Sequence, residues 1–360
     1  MTETGAGDAA RRANVVGLGL IGGSVGLGLR ARGWHVTGDD AARDRAERAA
    51  SLGVVDEIGL DPTAEVSFVA VPALTAAEVA SDVLARTSGL VTDVASVKGP
   101  ICREIDDPRF LGGHPMAGSE LHGLDGADAD MFAGAVWVLT PTATTPDHVF
   151  AAVGAIVRTL GAELVALPPE RHDEIVAVVS HVPHLVAASM MVLADDRASD
   201  HAALMRLAAG GFRDMTRVAA GHPDIWLDIC AQNQRAITEV LSGLLDALGD
   251  VKQAVGADDR DGLIELLNRA RAARTNLPRG AGRPETMVEM RVPVADRPGV
   301  AAEVFTLAAE LGVNVYDFEV YHSAEGSSGV LIAVVEAASA DLFRGGLIAR
   351  GFRPSVRSLE

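Results

Sequence analysis

The stretch Gly17-Leu-Gly19-Leu20-Ile21-Gly22-Gly23-Ser24 constrains the fold more than any other part of the chain. It follows an apolar run, Asn14 to Gly17, that reads as a strand, and it opens a helical stretch, Ser24 to Arg32. Glycine at position 17 allows the tight turn, and a bare backbone at Gly19 lets a pyrophosphate come close. Gly22 lets the helix lie close to the strand, and the helix N-terminus faces the phosphates. A GxGxxG pattern is common by itself, but between a strand and a helix it marks a dinucleotide-binding βαβ unit. The next strand candidate, His35 to Gly38, leads into Asp39-Asp40, about twenty residues further on. A carboxylate there accepts hydrogen bonds from adenosine ribose hydroxyls and repels a 2′-phosphate. The cofactor is therefore read as NAD rather than NADP, with Asp40 the favoured ligand and Asp39 its neighbour.

The alternation of strand and helix continues. Further strand candidates are Val66 to Val71, Leu90 to Val94, Phe110 to Gly113, Ala135 to Leu139 and Leu164 to Leu167, with helices at Ala41 to Leu52 and Ala76 to Arg86. The early strands are apolar on both faces, as a sheet covered by helices on both sides requires. Near Pro168-Pro169 the pattern changes. From there to Asn276 helical periodicity dominates, and Asp224 to Val255 reads as one long helix that is apolar on more than one side. Leu277 to Pro284 reads as a linker. Beyond it, Met287 to Val294, Gly299 to Leu311, Asn314 to Tyr321 and Val330 to Val335 read as a small βαββ domain. The expected fold class is thus α/β, in three parts: a Rossmann-type doubly wound domain over residues 1–168, an all-α domain over 169–278, and a small α+β domain over 285–360.

Charge narrows the partners. The chain carries 31 basic and 49 acidic residues, a net −18, which argues against nucleic acid or an anionic membrane. An anionic small molecule remains compatible, because one or two arginines can hold a carboxylate locally. Cys102 and Cys230 make no disulfide framework, and Met1 to Asp8 has no signal-peptide pattern, so a cytoplasmic location is expected. Glu174 to Ala194 is apolar and almost long enough to span a bilayer. It also contains Ser180, His181, Pro183 and His184, so it reads as a helix buried in a core or a subunit interface.

Chemistry-bearing residues gather at the predicted strand ends, where open α/β sheets hold their ligands. Val71-Pro72 closes one strand, Asp93-Val-Ala-Ser96-Val-Lys98 follows the next, and Gly112-Gly113-His114-Pro115 follows the one after. An imidazole at His114 can take a hydroxyl proton while a nicotinamide takes hydride from the same carbon. Ser96 can hydrogen-bond the same hydroxyl or the histidine. Lys98 stands out because only it and Lys252 are lysines. His172-Asp173 falls near a helix start. His181 and His184 share a helix face without a third ligand, so no metal is expected. In Gly210-Gly211-Phe-Arg213-Asp214-Met-Thr216-Arg217, the arginine at 217 reads as buried, and either Asp214 or a substrate carboxylate could balance it.

Taken in order, GLGLIGGS, DVASVK, GGHPMAGSE with Gly126-Ala127-Asp128, HDEIVAVVSHVPH, and GGFRDMTR with Trp226 resemble the prephenate dehydrogenases and their relatives that act on arogenate. The resemblance spans about residues 14 to 230. It implies NAD-dependent oxidative decarboxylation of prephenate to 4-hydroxyphenylpyruvate and CO2, a step in tyrosine synthesis. It further implies that His114 polarises the substrate 4-hydroxyl with support from Ser96, and that Arg217 binds a substrate carboxylate. His184, Ser180 and Trp226 would line the pocket, with Glu120, Ser119, Asp214 and Gly210 around it. The helical part would form a homodimer interface, with Gly210 to Asp214 of a partner completing each site. The expected cofactor positions are Gly17, Gly19, Leu20, Ile21, Gly22, Asp39, Asp40, Val71, Pro72 and Ser96.

The tail resembles an ACT domain of ferredoxin-like α+β type. That likeness rests on the stretch from Val288 to Val300 and on Leu311-Gly-Val-Asn314. It implies an aromatic amino acid such as tyrosine as effector, bound at Asp296, Pro298, Gly299, Val300 and Asn314. Three other readings compete. Arogenate carries an amine where prephenate has a ketone and would suit an acidic pocket residue, but His184 stands at that position. A non-catalytic amino-acid sensor would not need an intact glycine loop together with Ser96, His114 and Arg217. Another Rossmann-type enzyme acting on small hydroxy acids would not need this set of motifs.

Overall fold

The computed structural model describes residues 10–119, 121, 123–198, 207–221, 223–276, 287–295, 297–322 and 328–358. These fall into two compact units, Met1–Gln253 and Ala254–Glu360. The expected linker, Glu120 and Asp296 lie outside the described residues.

The first unit opens with β1 (Arg12–Val16), α1 (Leu20–Arg30), β2 (His35–Asp39), α2 (Arg43–Ser51), β3 (Glu57–Ile58), β4 (Val66–Val69), α3 (Ala73–Arg86), β5 (Leu90–Asp93), α4 (Gly99–Glu104) and β6 (Phe110–Pro115). It continues through β7 (Val136–Thr140), α5 (Asp147–Thr159) and β8 (Glu163–Ala166). The eight strands form one sheet in the order β3-β2-β1-β4-β5-β6-β7-β8. Every pairing is parallel except β6 with β7. Both faces of the sheet are covered. Phe68 packs with Val25, Leu29, Ala46 and Ile156 of α1, α2 and α5, whereas Val69 packs with Ala76, Ala80 and Val83 of α3 on the other side. Adjacent strand residues thus serve opposite cores, which is why these strands read as continuous apolar runs. β4 stops at Val69, short of the expected Val71, and the chain turns into α3 with Pro72 as its N-cap.

The helical part begins with α6 (Pro169–Val176), passes through a π-helical turn at Ala177–His181, and continues as α7 (Val182–Ala198). By length and composition the helix Pro169–Ala198 could cross a membrane, but its polar residues His172, Asp173, His181 and His184 are buried within the protein. α8 (Gly210–Thr216), α9 (Pro223–Gln232) and α10 (Gln234–Gly256) follow. The single helix expected over 224–255 is therefore two, broken at Asn233. The Asn233 side chain is buried and donates to the Asp173 carbonyl at 2.8 Å.

In the second unit, α11 (Arg260–Thr275) precedes β9 (Met287–Ala295), α12 (Val300–Glu310), β10 (Asp317–His322), β11 (Ser328–Glu336), α13 (Ala337–Ala349) and β12 (Ser355–Ser358). The strands form an antiparallel sheet in the order β10-β11-β9-β12. The βαββ reading was incomplete: a second helix and a fourth strand make the pattern βαββαβ. Val292, Leu331, Phe343 and Leu347 form its core.

Candidate active site

The glycine loop takes the expected form. Gly17 has φ +94°, and a Cβ there would lie 2.3 Å from the Ala70 carbonyl oxygen. A Cβ at Gly22 would lie 1.9 Å from the Gly17 carbonyl oxygen, whereas one at Gly19 would meet nothing within 4 Å. Gly17 and Gly22 thus close the turn, and Gly19 leaves its outer side open to a ligand. A cavity of about 720 Å³ lies against this loop. Gly17, Gly19, Leu20, Ile21, Asp39, Asp40, Val71, Pro72 and Ser96 line it. Gly22 stands behind the turn rather than on the cavity wall.

The two aspartates differ in their partners. Asp40 accepts hydrogen bonds from the backbone N–H of Leu18 and of Ala42, both at 2.8 Å, and pairs with Arg45 at 3.2 Å. Its carboxylate braces the glycine loop and is only 4% exposed. Asp39 ends β2; its carbonyl accepts the Gly17 N–H at 2.8 Å, and its carboxylate accepts the N–H of Asp40. Both carboxylates line the cavity; Asp40 also braces the turn, whereas the Asp39 carboxylate has fewer partners within the protein.

A second cavity, about 710 Å³, shares Leu20, Ile21 and Ser96 with the first. His114, Ser119, Ser180, His181, His184, Arg217 and Trp226 line it. Ser96 thus stands where a nucleotide site and a second ligand site meet. His114, near the end of β6, is 8% exposed, and its Nδ1 lies 2.8 Å from His172 Nε2. Burial, reinforced by the nearby His172, Lys98 and His181, holds its pKa well below the usual imidazole value. The ring is therefore neutral at physiological pH and able to accept a proton.

Behind His114 lies a network of buried polar groups. His172 Nδ1 meets Asp173 Oδ1 at 2.9 Å. The Asp173 carboxylate also accepts the backbone N–H groups of Lys98 and Gly99, both at 2.8 Å. The Lys98 side chain is fully buried, donates to the Gly113 carbonyl at 2.8 Å and pairs with Asp93. The lysine that stands out in sequence thus clamps the ends of β5 and β6, a task suited to a compact three-donor ammonium. In the sequence, His172 and Asp173 mark only a place near a helix start, with nothing to connect them to His114. The two segments lie 58 positions apart, and no local pattern joins them.

The remaining expected residues divide. His184 stacks on Trp226, with ring centroids 3.5 Å apart. His181 Nδ1 lies 3.2 Å from Asn233 Nδ2. Arg217 lines the second cavity but is exposed, which corrects its reading as a buried arginine. Asp214 and Gly210 lie on exposed α8 and do not line this cavity. In the second unit, Pro298 and Gly299 form an exposed turn before α12. Gly299 has φ +87°, and Asn314 is exposed.

A glycine-rich strand–turn–helix, a carboxylate at the end of the second strand, a serine where two cavities meet and a neutral histidine in the second of them define an NAD-dependent dehydrogenase. Family models match in two parts: the nucleotide-binding domain of prephenate dehydrogenase over residues 25–166, and its dimerization domain over residues 168–269. The chain is 30% identical to the prephenate dehydrogenase of Bacillus subtilis, over 88% of this chain and 90% of that one. A crystal structure of prephenate dehydrogenase from A. aeolicus with hydroxyphenyl propionate and NAD+ superposes with a TM-score of 0.70 at 27% identity, covering 76% of this chain and 100% of that one. A Synechocystis arogenate dehydrogenase superposes with a TM-score of 0.64 at 32% identity, covering 73% and 98%. The chain belongs to the prephenate dehydrogenase family.

Proposed function

We propose that the chain oxidises and decarboxylates prephenate, giving 4-hydroxyphenylpyruvate and CO2 with NAD as oxidant. The observation that carries this reading is the placement of Ser96 and His114. Ser96 lines both cavities, and His114 presents a neutral ring to the second. Bound NAD supplies the hydride acceptor. The 4-hydroxyl proton passes to His114 Nε2 as the carbinol carbon loses its hydride, and Ser96 orients that hydroxyl. The bond to the ring carboxylate then breaks, its electron pair aromatises the ring, and the proton returns to the phenolic oxygen. Arg217 at the rim holds a carboxylate of the substrate, and Ser180, His184, Trp226 and Ser119 shape the pocket. Asp39 accepts the ribose hydroxyls.

The arogenate reading is weaker here. Among the described residues no carboxylate lines the second cavity, so nothing there matches a substrate ammonium. A homodimer is supported by exposed hydrocarbon on the helices, at Val178, Val179, Val192 and Leu193. In that assembly Gly210 and Asp214 of one copy would reach the site of the other. The βαββαβ tail, with its exposed turn before α12, supports an ACT-type regulatory domain that binds tyrosine. The boundaries 1–168, 169–278 and 285–360 remain our division of the chain, and the cytoplasm our proposed location.

A steady-state comparison of prephenate with arogenate, each with NAD and NADP and with or without tyrosine, tests the whole reading. The expected result is the highest kcat/KM for prephenate with NAD. A higher value for arogenate would reverse the choice of substrate.

A further inference from the structure

We propose that His172 and Asp173 are positioning residues that fix the tautomer of His114, leaving its Nε2 bare as the proton acceptor. The proposal rests on the reading that His114 takes the substrate hydroxyl proton. It follows from counting donors. The Asp173 carboxylate is an acceptor and already receives two backbone N–H groups, from Lys98 and Gly99. The ring atom facing it, His172 Nδ1, must therefore carry a hydrogen. In that tautomer His172 Nε2 carries a lone pair, and the lone pair faces His114 Nδ1 at 2.8 Å. His114 must donate across this contact, so its own hydrogen sits on Nδ1.

His172 is wholly buried, and Asp173 and His114 are 6% and 8% exposed, which leaves little room for water to take over either bond. The anchor is also tied to the rest of the site. Asp173 grips the start of α4, two residues beyond Ser96, and its own carbonyl accepts Asn233 from the break between α9 and α10. The same residue thus holds the serine loop and, through His172, the base. Both the orientation and the protonation of the base are set before substrate arrives.

The test uses the full chain. Nitrogen-15 NMR of the histidine rings, assigned by comparison with His114→Gln, reads which ring nitrogen of His114 bears hydrogen. The expected wild-type result is hydrogen on Nδ1 only. Asp173→Asn places an amide where the carboxylate was. Its NH2 facing His172 would reverse both rings, moving the His114 hydrogen to Nε2 and lowering kcat by about 100-fold or more with KM for NAD unchanged. His172→Gln keeps an acceptor facing His114 and should recover turnover lost in His172→Leu. Hydrogen on Nε2 in the wild type, or an Asp173→Asn enzyme with wild-type kcat, would overturn the proposal. Should Asp173→Asn fail to fold, the wild-type spectrum and the His172 pair decide. Wild-type turnover in His114→Gln would instead remove His114 from catalysis, and the tautomer measurement would still stand by itself.

Discussion

The first unit buries charge in one place and exposes hydrocarbon in another. At the ends of β5 and β6, Asp93, Lys98, His114, His172 and Asp173 are all buried, and each has a polar partner. Along the helix Pro169–Ala198 and beyond, Val179, Val192, Leu193, Leu227 and Leu245 are more than half exposed. Buried ion pairs often contribute less stability than apolar packing of the same volume. They persist where a group must be held in one orientation or protonation state. Exposed hydrocarbon on several helices does the reverse: it leaves unused packing that a second surface can cover. The polar network is complete within one chain, whereas the helical face is not.

Three measurements can break or sharpen that contrast. The largest effect is expected at the polar end. His114→Ala should lower kcat by about 100- to 10,000-fold while NAD binding, followed by calorimetry, stays as in the wild type. Near-normal turnover would show that the buried charges serve stability alone. At the apolar end, Leu193→Asp should convert a dimer to single chains of 37.3 kDa by sedimentation velocity. A wild-type protein that already sediments as one chain would mean that something other than a second copy covers the face. The smallest effect is in stability against pH. Burial chiefly lowers the His181 pKa to about 4, against an opposing effect of Asp173. Below about pH 6.5 the unfolded chain binds a proton there that the folded chain refuses until about pH 4, so stability falls as pH falls through that window. One such histidine accounts for about 2 kcal/mol between pH 7 and pH 5. Urea midpoints should fall over that range in the wild type and fall less in His181→Gln; equal slopes would remove His181 as a source.

Much of the first unit was legible from its sequence because its signals are local. The glycine loop carries its own turn, and apolar runs mark strands that serve two cores. His114 was found from its place after a strand. What stayed hidden depended on distant partners. That Asp40 braces the glycine loop depends on the N–H groups of Leu18 and Ala42, one of them 22 positions away. The partnership of His114 with His172 exists only once the helix docks on the sheet. Arg217 was read as buried because its neighbours are apolar, but those neighbours belong to helices whose outer faces are themselves exposed. The break at Asn233 was missed for the same kind of reason: one side chain is claimed by Asp173 and His181 from another helix.

The π-helical turn at Ala177–His181 carries a consequence of its own. An α-helix advances roughly 100° per residue, so positions 172 and 181 on a regular helix would point in nearly opposite directions. The wider turn slows the rotation between them, and near it the Asp173 backbone carbonyl and His181 Nδ1 meet the same asparagine. Such a turn behaves like one residue inserted into a helix and never absorbed by a loop. Deleting a single residue within it would restore a regular helix with nearly the same phase beyond it, because the wide turn covers with one extra residue about the angle of an ordinary one. The cost would fall on the turn itself, where Ser180 and His181 line the second cavity.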